Sequence, residues 1–306
     1  MLISVIIPCL NVEAYIDECL SSVYEQSYDN IEIICVDNGS TDKTKEILLN
    51  YQREKKIILI EEINKGAPFA RNAGLNIAKG KWIQFLDADD LLLTNKIKHQ
   101  VDVVNLFDVD FIVASSFHQD KNGKRYHKVV DSDFYMGLMN SNFGNTCANL
   151  FSKEILLKVD GWNTQLTSSQ EYDLFFRLLR VSSKYTIDKT PLTLIRQRLS
   201  GQISQQRPKQ NWNNYVNLRI EILNYIIDND KNYFLANEII LKQSLFDSLR
   251  ILSIYDFKTA ENIFNNFLFG FVPKISKTTS FLYVFLFKIF GFRITESLKR
   301  LTTFKS

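Results

Sequence analysis

Short runs of β-branched residues alternate with helix-like segments in the first third of this sequence, and this alternation constrains the fold more than any other feature. Leu2–Ile7, Ile31–Val36 and Ile57–Ile60 have the dense apolar composition of buried parallel strands. A further strand is predicted at Trp82–Leu86, and a helical pattern follows each strand. Repeated βα units of this length predict an α/β fold, a mostly parallel sheet with helices on both faces.

The rest of the chain divides into three regions. The first predicted helix is Val12–Gln26, with Asn11 as its N-cap. One further strand is predicted at Phe111–Ala114. The other predicted helices before residue 205 are Pro68–Ala78, Asn95–Leu106, Lys153–Val159 and Gln170–Val181. The pattern weakens into polar, loop-like sequence between Asp120 and Asn145. Beyond residue 205 the sequence predicts only helices, Asn211–Asp228, Asn237–Ile254 and Lys258–Phe267, so we place a domain boundary there.

Composition excludes several classes of protein. The 306 residues are 45% hydrophobic and 23% charged, which excludes a disordered chain. The formal net charge of +3 is too small to suggest a nucleic-acid partner. The four cysteines include no C-x-x-C pair and are predicted to be buried thiols rather than disulfides or zinc ligands. The N-terminus has no positively charged leader, which predicts a cytoplasmic location.

Polar residues follow three of the predicted strands. These segments are Pro8-Cys9-Leu10-Asn11, Asp37-Asn38-Gly39-Ser40 and Asp87-Ala88-Asp89-Asp90. Ligands of open α/β sheets bind outside the carboxyl ends of the strands, so these segments form the predicted site. The chain has no G-x-G-x-x-G after its first strand and no G-x-x-x-x-G-K-[ST], which argues against a dinucleotide or P-loop site.

Three acids within four residues, Asp87, Asp89 and Asp90, predict a metal site. Like charges this close raise one another's pKa, and a divalent cation removes that cost. Carboxylates without histidine or cysteine suit hard ions, so Mn²⁺ or Mg²⁺ is the predicted cofactor. The alternative interpretation is a polar loop in which Asp90 caps the next helix.

Several motifs together resemble the family 2 glycosyltransferases of the GT-A fold. They are SVIIPCLNVEAYIDECLSSVYEQSY, EIICVDNGSTDKTKEIL, NKGAPFARNAGLNIAKGKWIQFLDADD, CANLFSKEILLKVDGWN and SSQEYDLFFRLL, in this order over roughly residues 2–204. The resemblance implies transfer of a sugar from a nucleotide-diphosphate donor to an acceptor hydroxyl, with inversion. It also implies a catalytic domain at 1–205, with a nucleotide-sugar half at 1–110 and an acceptor half at 111–205. Residues 206–306 would then be a helical extension.

The resemblance assigns donor-binding residues position by position. The family usually reads V-D-D-G-S after the second strand, and Asn38 stands here where the second Asp contacts the base, which leaves the donor's identity open. Arg71 is expected to face phosphate from an early helix turn. The remaining positions that match donor-binding segments are Pro8, Asn11, Asp37, Asn64, Lys65, Gly66 and Asn72.

The resemblance also assigns the metal ligands and the base. Asp87 and Asp89 match the D-x-D pair, with Asp89 the better candidate for direct metal contact. Glu171 matches the acid that takes the proton of the acceptor hydroxyl, and its normal pKa of ~4.3 leaves it ionised at neutral pH. Asp173, two residues later on the same helix, is the alternative base. Arg177 stands where the family often has an arginine.

The sequence departs from the family pattern after the last catalytic strand. The family frequently shows R-x-H there, whereas this chain has Arg196-Gln197-Arg198. An arginine cannot ligate a cation, so Arg198 is expected to hold the departing diphosphate instead. The Q-x-x-R-W pattern of processive synthases is absent, which predicts transfer of one sugar per encounter.

The tail suggests a membrane-associated enzyme. Phe281–Phe292 is apolar but shorter than the ~20 residues that span a bilayer. With the basic residues that follow, 281–305 could lie on the inner face of the cytoplasmic membrane, or the segment could pack inside the protein. Many relatives build bacterial surface polysaccharides, which implies a polyprenyl-diphosphate-linked saccharide acceptor in polysaccharide or lipopolysaccharide (O-antigen) synthesis.

Two other classes stay open from the sequence. A catalytically inactive sugar-nucleotide binding or scaffold protein would share the fold, but Asp87, Asp89 and Glu171 together argue against it. A nucleotidyltransferase also uses a parallel sheet with an acidic metal site. That class usually has a Gly-rich, basic phosphate loop after the first strand, and Pro8-Cys9-Leu10-Asn11 has no such loop.

Overall fold

The computed structural model describes residues 1–197 and 207–303, with side chains described as far as residue 299. The described residues form two compact units, one of residues 1–137 and 142–197 and a C-terminal unit of residues 138–141 and 207–303. The predicted boundary at residues 205 and 206 lies outside the described residues. We call the first the catalytic unit.

The catalytic unit is built on a seven-stranded sheet in the order β10-β6-β9-β4-β1-β2-β3. Neighbouring strands are parallel except at β9, which runs antiparallel to both β4 and β6. The prediction of a mostly parallel α/β sheet is confirmed. The strands are β1 Ile3–Cys9, β2 Ile31–Asp37, β3 Ile58–Glu61, β4 Trp82–Phe85, β6 Phe111–Ala114, β9 Leu150–Ser152 and β10 Tyr185–Asp188.

Helices cover both faces of β1, as its alternating side chains require. The helices of this unit are α1 Ile16–Tyr24, α2 Thr44–Arg53, α3 Ala67–Ile77, α4 Lys96–Leu106, α6 Lys153–Lys158 and α7 Gln170–Val181, with α5 Phe134–Met139 continuing into the C-terminal unit. Val5 and Ile7 share a buried cluster with Ile16 of α1. Ile6 points to the other face, where a Cβ on Gly74 of α3 would lie 2.4 Å from it. Only glycine allows this close approach.

Two predictions about the polar loops and helix starts are wrong. α1 begins at Ile16 rather than Val12, and Asn11 caps no helix, because it has a φ of 51° and its Oδ1 accepts a hydrogen bond from the Thr41 N–H at 2.8 Å. Asp90 does not cap the next helix either. The short strand β5, Leu91–Leu92, follows it, and α4 begins only at Lys96.

The segment between Asp120 and Asn145, predicted to be loop, contains regular structure. β8, Arg125–Lys128, pairs antiparallel with β7, Ser116–Gln119, and β7 joins a second sheet in the order β5-β11-β7-β8, where β11 is Thr193–Arg196. Most of β8 is exposed. A strand exposed on both sides has no apolar alternation, so the sequence pattern could not indicate it.

The C-terminal unit contains long helices, as predicted. They are α8 Pro208–Asn229, α9 Lys231–Tyr255, α10 Phe257–Phe267 and α11 Phe281–Thr303, the last interrupted at Gly291, which has a φ of 69°. Arg250 of α9 donates from Nε to Glu296 of α11 at 2.6 Å, and both side chains are buried. Across the described ranges 1–197 and 207–303, no helix is both long enough and apolar enough to cross a membrane.

Candidate active site

The carboxyl ends of four neighbouring parallel strands, β3, β2, β1 and β4, meet at one edge of the large sheet. The three polar segments predicted to form the site lie at the ends of β1 and β2 and just after β4, all at this edge. β9 is antiparallel, so the residues that precede it, including Thr146 and Cys147, also lie at this edge. Topology therefore adds a segment that the sequence alone did not nominate.

The loops after β1 and β2 are joined by hydrogen bonds. Besides the bond from Thr41 to the Asn11 side chain, the Asn11 N–H donates to Ser40 Oγ at 3.1 Å, and the Val12 N–H donates to Thr44 Oγ1 at 2.8 Å. Pro8 lies in β1 opposite Val36, half-buried. The two loops thus form one continuous rim beside the strand ends.

Asn38 holds the loop after β3 in place. Its Nδ2 donates to the carbonyls of Glu62 at 2.9 Å and Asn64 at 2.7 Å, and its Oδ1 accepts from the Gly66 N–H at 2.7 Å. The side chain is buried, as is that of Asp37, whose Oδ1 accepts from the Ser40 N–H at 3.3 Å. The Asn38 amide therefore shapes the predicted donor loop by binding its backbone.

Arg71 is buried against an acid and an aromatic ring. Its Nη2 lies 2.7 Å from Asp87 Oδ1, and its guanidinium carbon lies 4.4 Å from the centre of the Trp162 ring. Burial acts to lower the pKa of Arg71, but the charge and hydrogen bond of Asp87, together with the charges of Cys147 and Glu171, outweigh that effect and raise the pKa. Arg71 is therefore a permanent positive charge at the end of β4, not the solvated surface arginine that its sequence context alone would favour.

Trp162 is itself held by the helix that carries Arg71. Asn72 accepts from the Trp162 N–H and donates to the Trp162 carbonyl, both at 2.8 Å. Gly161 precedes it with a φ of 63°, and a Cβ there would lie 2.5 Å from Asn72 Oδ1. The D-G-W-N segment thus needs its glycine so that the tryptophan can lie beneath Arg71.

The acidic turn after β4 brings Asp87 and Asp90 together with Cys147. One ligand atom from each lies within 4.8 Å of the other two. Burial raises the pKa of Asp90 well above its usual range, and the charges of Asp87 and Asp89 add to the rise. Asp89 is partly exposed, and its backbone carbonyl accepts from Arg196 Nε at 2.5 Å.

Arg196 fixes this turn from β11. Its backbone N–H donates to Asp90 Oδ1 at 2.8 Å, and its guanidinium pairs with Glu18 of α1. In the sequence, Arg196 stands only within a departure from the family pattern. In the structure it binds two successive residues of the acidic turn. Arg198, the predicted diphosphate ligand, lies outside the described residues.

Glu171 is the second residue of helix α7, and Thr146 holds its side chain. Its Oε1 accepts from both the backbone N–H and the hydroxyl of Thr146, the hydroxyl at 2.7 Å. Burial raises the pKa of Glu171, while the bonds from Thr146 and the charges of Lys128 and Arg71 act in the opposite direction. Glu171 therefore lies within the electrostatic field of Arg71, which also binds Asp87.

Asp173, the alternative base, has a different environment. Its carboxylate forms an ion pair with Arg177, with Nη2 at 2.8 Å and Nε at 2.9 Å. Arg177 also donates to the carbonyls of Val159 and Gly161, at 2.5 and 2.8 Å. This arrangement ties α7 to the segment before Trp162. It gives both residues a structural task.

The acidic turn fits a divalent cation. Asp87 and Asp90 offer carboxylate oxygens within reach of one another, and Asp89 lies between them in sequence. Oxygen ligands of this kind suit Mg²⁺ and Mn²⁺. Burial raises the pKa of Asp90 most, and the charges of Asp87 and Asp89 raise it further; a bound cation would remove that repulsion between the acids.

Comparison with known proteins identifies the family. The model of "Glycosyl transferase family 2" matches residues 4–180. Glycosyltransferase GlyG of Streptococcus pneumoniae is 30% identical over 228 residues, which cover 69% of this chain and 75% of GlyG. Uncharacterized glycosyltransferase RT0329 of Rickettsia typhi is 35% identical over 195 residues, 60% of each chain. A Rickettsia bellii glycosyltransferase is 35% identical over 66% of this chain. The chain spans 30% to 60% of the length of these rickettsial relatives.

Solved structures show the same fold at low identity. The structure of Staphylococcus aureus TarS 1–349 in complex with UDP-GlcNAc has a TM-score of 0.66 at 17% identity, covering 99% of this chain and 92% of that one. Mannosyltransferase PcManGT from Pyrobaculum calidifontis, in complex with GDP-Man and Mn²⁺, has a TM-score of 0.55 at 17% identity, covering 98% and 86%. The predicted GT-A fold and family are confirmed: the chain belongs to glycosyl transferase family 2.

Proposed function

We propose that this chain is an inverting, non-processive glycosyltransferase, which moves one sugar from a nucleotide-diphosphate donor to an acceptor hydroxyl. The single observation that best supports this is the placement of Arg71, which binds Asp87 directly and lies within the field of Glu171. A phosphate-attracting cation, a metal-binding acid and a second acid that can take a proton are thereby gathered at the carboxyl edge of the sheet.

Glu171 is the proposed base. An inverting displacement needs one group that accepts the proton of the acceptor hydroxyl as the hydroxyl attacks the anomeric carbon. The two hydrogen bonds from Thr146 orient one carboxylate oxygen of Glu171. They also favour the ionised form, which is the form able to take the proton. The new bond to oxygen forms on the face opposite the departing diphosphate.

Basic groups would stabilise the charge on the leaving diphosphate. Arg71 supplies a fixed guanidinium at the end of β4, and Arg198 is the proposed second contact. Mn²⁺ or Mg²⁺ would be held by Asp87 and Asp89, with Asp90 close by, and would supply further positive charge to the diphosphate. Pro8, Asn11, Asp37 and Asn38 would border the nucleoside, while Asn64 and Gly66 would border the diphosphate and sugar.

The donor and acceptor belong to the same proposal. UDP-GlcNAc in the TarS structure and GDP-Man in the PcManGT structure support a nucleotide-sugar donor. For the acceptor we propose a lipid-linked saccharide, polyprenyl-diphosphate-linked, in polysaccharide or lipopolysaccharide synthesis. The exposed apolar side chains of α11 support action at the inner face of the cytoplasmic membrane, with the tail as the point of contact.

Substituting each of the two candidate bases on its own tests the mechanism. Glu171→Gln should lower the rate of donor turnover by about 10²–10⁴-fold while donor binding is kept, because only proton acceptance is lost. Asp173→Asn is the matched control. It should lower the melting temperature by breaking the pair with Arg177, yet keep turnover within about tenfold of the wild type.

Two results would contradict this proposal. If Asp173→Asn abolished turnover in a folded protein while Glu171→Gln did not, the base would be misassigned. A wild-type protein that binds nucleotide sugars but never turns them over, with any acceptor preparation, would instead fit the inactive scaffold.

A further inference from the structure

Helix α11 is fixed to its own unit along one side. Tyr283, Phe287 and Phe292 are buried, and Phe292 stacks on Phe264 of α10 at 4.7 Å between ring centres. Glu296 accepts from Arg250, and also from the hydroxyls of Ser253 at 2.9 Å and Tyr283 at 2.6 Å. A buried ion pair with two further hydrogen bonds holds the helix in one orientation, so the side of α11 opposite these buried residues faces outward.

That outer side is apolar. Phe281 is 75% exposed, and Leu282, Phe285, Ile289 and Phe290 are exposed by 63%, 53%, 57% and 45%. Single exposed apolar residues are ordinary, but five on the first ten residues of one helix mark an interaction surface. We call these five residues the docking face.

The loop before the helix extends this surface. Phe269 is 86% exposed, and it lines a cavity of about 350 Å³ together with Phe264, Phe287 and Phe290. The apolar surface therefore continues from the docking face to the neighbouring loop and into the unit. Such a surface is costly to leave in water.

The sequence that carries the docking face is mainly basic, and Glu261 of α10 pairs with Arg293. From residue 262 to the end of the sequence the only acid is Glu296, which is buried, against seven basic residues, namely Lys274, Lys277, Lys288, Arg293, Lys299, Arg300 and Lys305. Lys288 is exposed within the docking face. Arg293 reaches Glu261 at 3.3 Å but its side chain remains 77% exposed. An apolar surface bordered by cations complements anionic lipid.

We propose that the docking face of α11, with Lys288 and Arg293, binds the surface of an anionic phospholipid bilayer. The helix would lie in the interface, with its apolar side chains among the acyl chains and its cations at the headgroups. A second copy of this chain is a poorer occupant, because a two-fold contact would bring the same cations together. The purpose of this binding would be to bring the site to a lipid-linked acceptor, and in this respect the inference rests on the proposed function.

Vesicle co-sedimentation of the full chain tests the proposal. The wild type should bind vesicles of phosphatidylcholine mixed with phosphatidylglycerol, and should bind pure phosphatidylcholine about tenfold more weakly. Phe285→Ser with Ile289→Ser should lower binding by about tenfold or more, since two inserting side chains are lost. Leu106→Ser with Phe107→Ser is the matched control, because these residues are 78% and 55% exposed in the catalytic unit. It should bind as the wild type does.

Charge and oligomeric state complete the test. Lys288→Glu should remove much of the preference for anionic vesicles, and high salt should have the same effect on the wild type. The proposal is overturned if the docking-face variant, with an unchanged melting temperature, binds vesicles as well as the wild type. It is also overturned if light scattering shows a wild-type dimer that this variant converts to monomers. Donor turnover without vesicles should be the same in the three variants as in the wild type, so a failure of the proposed chemistry would be seen separately.

Discussion

Arg71 is a buried side chain that binds Asp87 and lies within the electrostatic field of Glu171. Its planar guanidinium pairs with Asp87 through an edge while its face lies over Trp162. A lysine would keep the positive charge but lose the planar group that lies against the ring, since an ammonium has no flat face to stack. The site therefore depends on the planar shape of the Arg71 side chain as well as on its positive charge.

Thr146 positions Glu171, and its removal should change a pH profile. Thr146→Val keeps the backbone donor but loses the hydroxyl that bonds the carboxylate at 2.7 Å. That bond favours the ionised form, so its loss should raise the pKa of Glu171 further. Glu171 must be ionised to accept a proton. The acidic limb of kcat against pH should therefore move to higher pH, with Lys128 and Arg71 still facing the carboxylate.

Thr146→Ser is the control, since it restores the hydroxyl. It should return the acidic limb to its wild-type position, and the plateau of kcat at high pH should change little in either variant. An unshifted limb in Thr146→Val would mean that the hydroxyl does not act on the titrating base. A shift of equal size in Thr146→Ser would assign the effect to packing.

Sequence reasoning located the acids of the site but not the residues that hold them. Asp87, Asp89 and Glu171 stand in segments with a recognisable pattern and a known place in the family. Thr146 lies just outside the matching motifs, and the motif that contains Trp162 does not indicate what the ring contacts, because the contacts of these two residues join positions 25 and 90 apart. Contacts of this kind depend on the tertiary fold, which the periodicity of hydrophobic residues along the sequence does not indicate. The same holds for Asn38, whose amide binds a loop that lies 24 to 28 residues later.

At the scale of elements, five parallel strands, β1, β2, β3, β4 and β6, were predicted, whereas the parallel strand β10 and the strands β8 and β9 were not. β1 and β2 are buried along most of their length, so their apolar runs indicate them directly. β8 is largely exposed and β9 has only three residues, too few for a period to show. Yet β9 matters most for the site, because its antiparallel direction brings Thr146 and Cys147 to the strand ends.

Helix α4 contains a buried lysine that should make stability depend on pH. The Lys96 side chain is 1% exposed, and its Nζ has no hydrogen-bond partner among the described residues. Burial lowers the pKa of Lys96 to about 7. The unfolded chain therefore binds this proton up to about pH 10.4 while the folded protein has released it. Between these values the free energy of unfolding should rise with pH, by up to about 1.4 kcal/mol per unit.

Lys96→Met should remove this contribution. Urea unfolding from pH 7 to 9 should show a clearly smaller rise in stability than in the wild type, and the variant should be the more stable protein at pH 7. Lys98→Met is the control, because Lys98 lies on the same helix, half-exposed and paired with Asp102. It should keep the wild-type dependence. Parallel curves for the wild type and Lys96→Met would show that Lys96 keeps its proton in the folded protein.

At the scale of the whole molecule, the two units offer different evidence about function. The family match, residues 4–180, lies almost entirely in the catalytic unit, which contains every described candidate site residue. The helices α8 to α11 lie beyond that match, so inferences about them depend on their own surface. That surface is apolar and basic on α11. The catalytic unit accounts for the proposed chemistry, and the C-terminal unit for its proposed location.

Calorimetric binding of a nucleotide-sugar panel tests the central claim most directly. Wild type and Asp89→Ala would be titrated with UDP-, GDP-, CMP- and dTDP-sugars in Mn²⁺, Mg²⁺ or EDTA. We predict that one donor is preferred, that EDTA weakens its binding, and that Asp89→Ala weakens it by about tenfold or more in the presence of metal. If no sugar nucleotide binds the wild type under any metal condition, the proposed glycosyl transfer is contradicted.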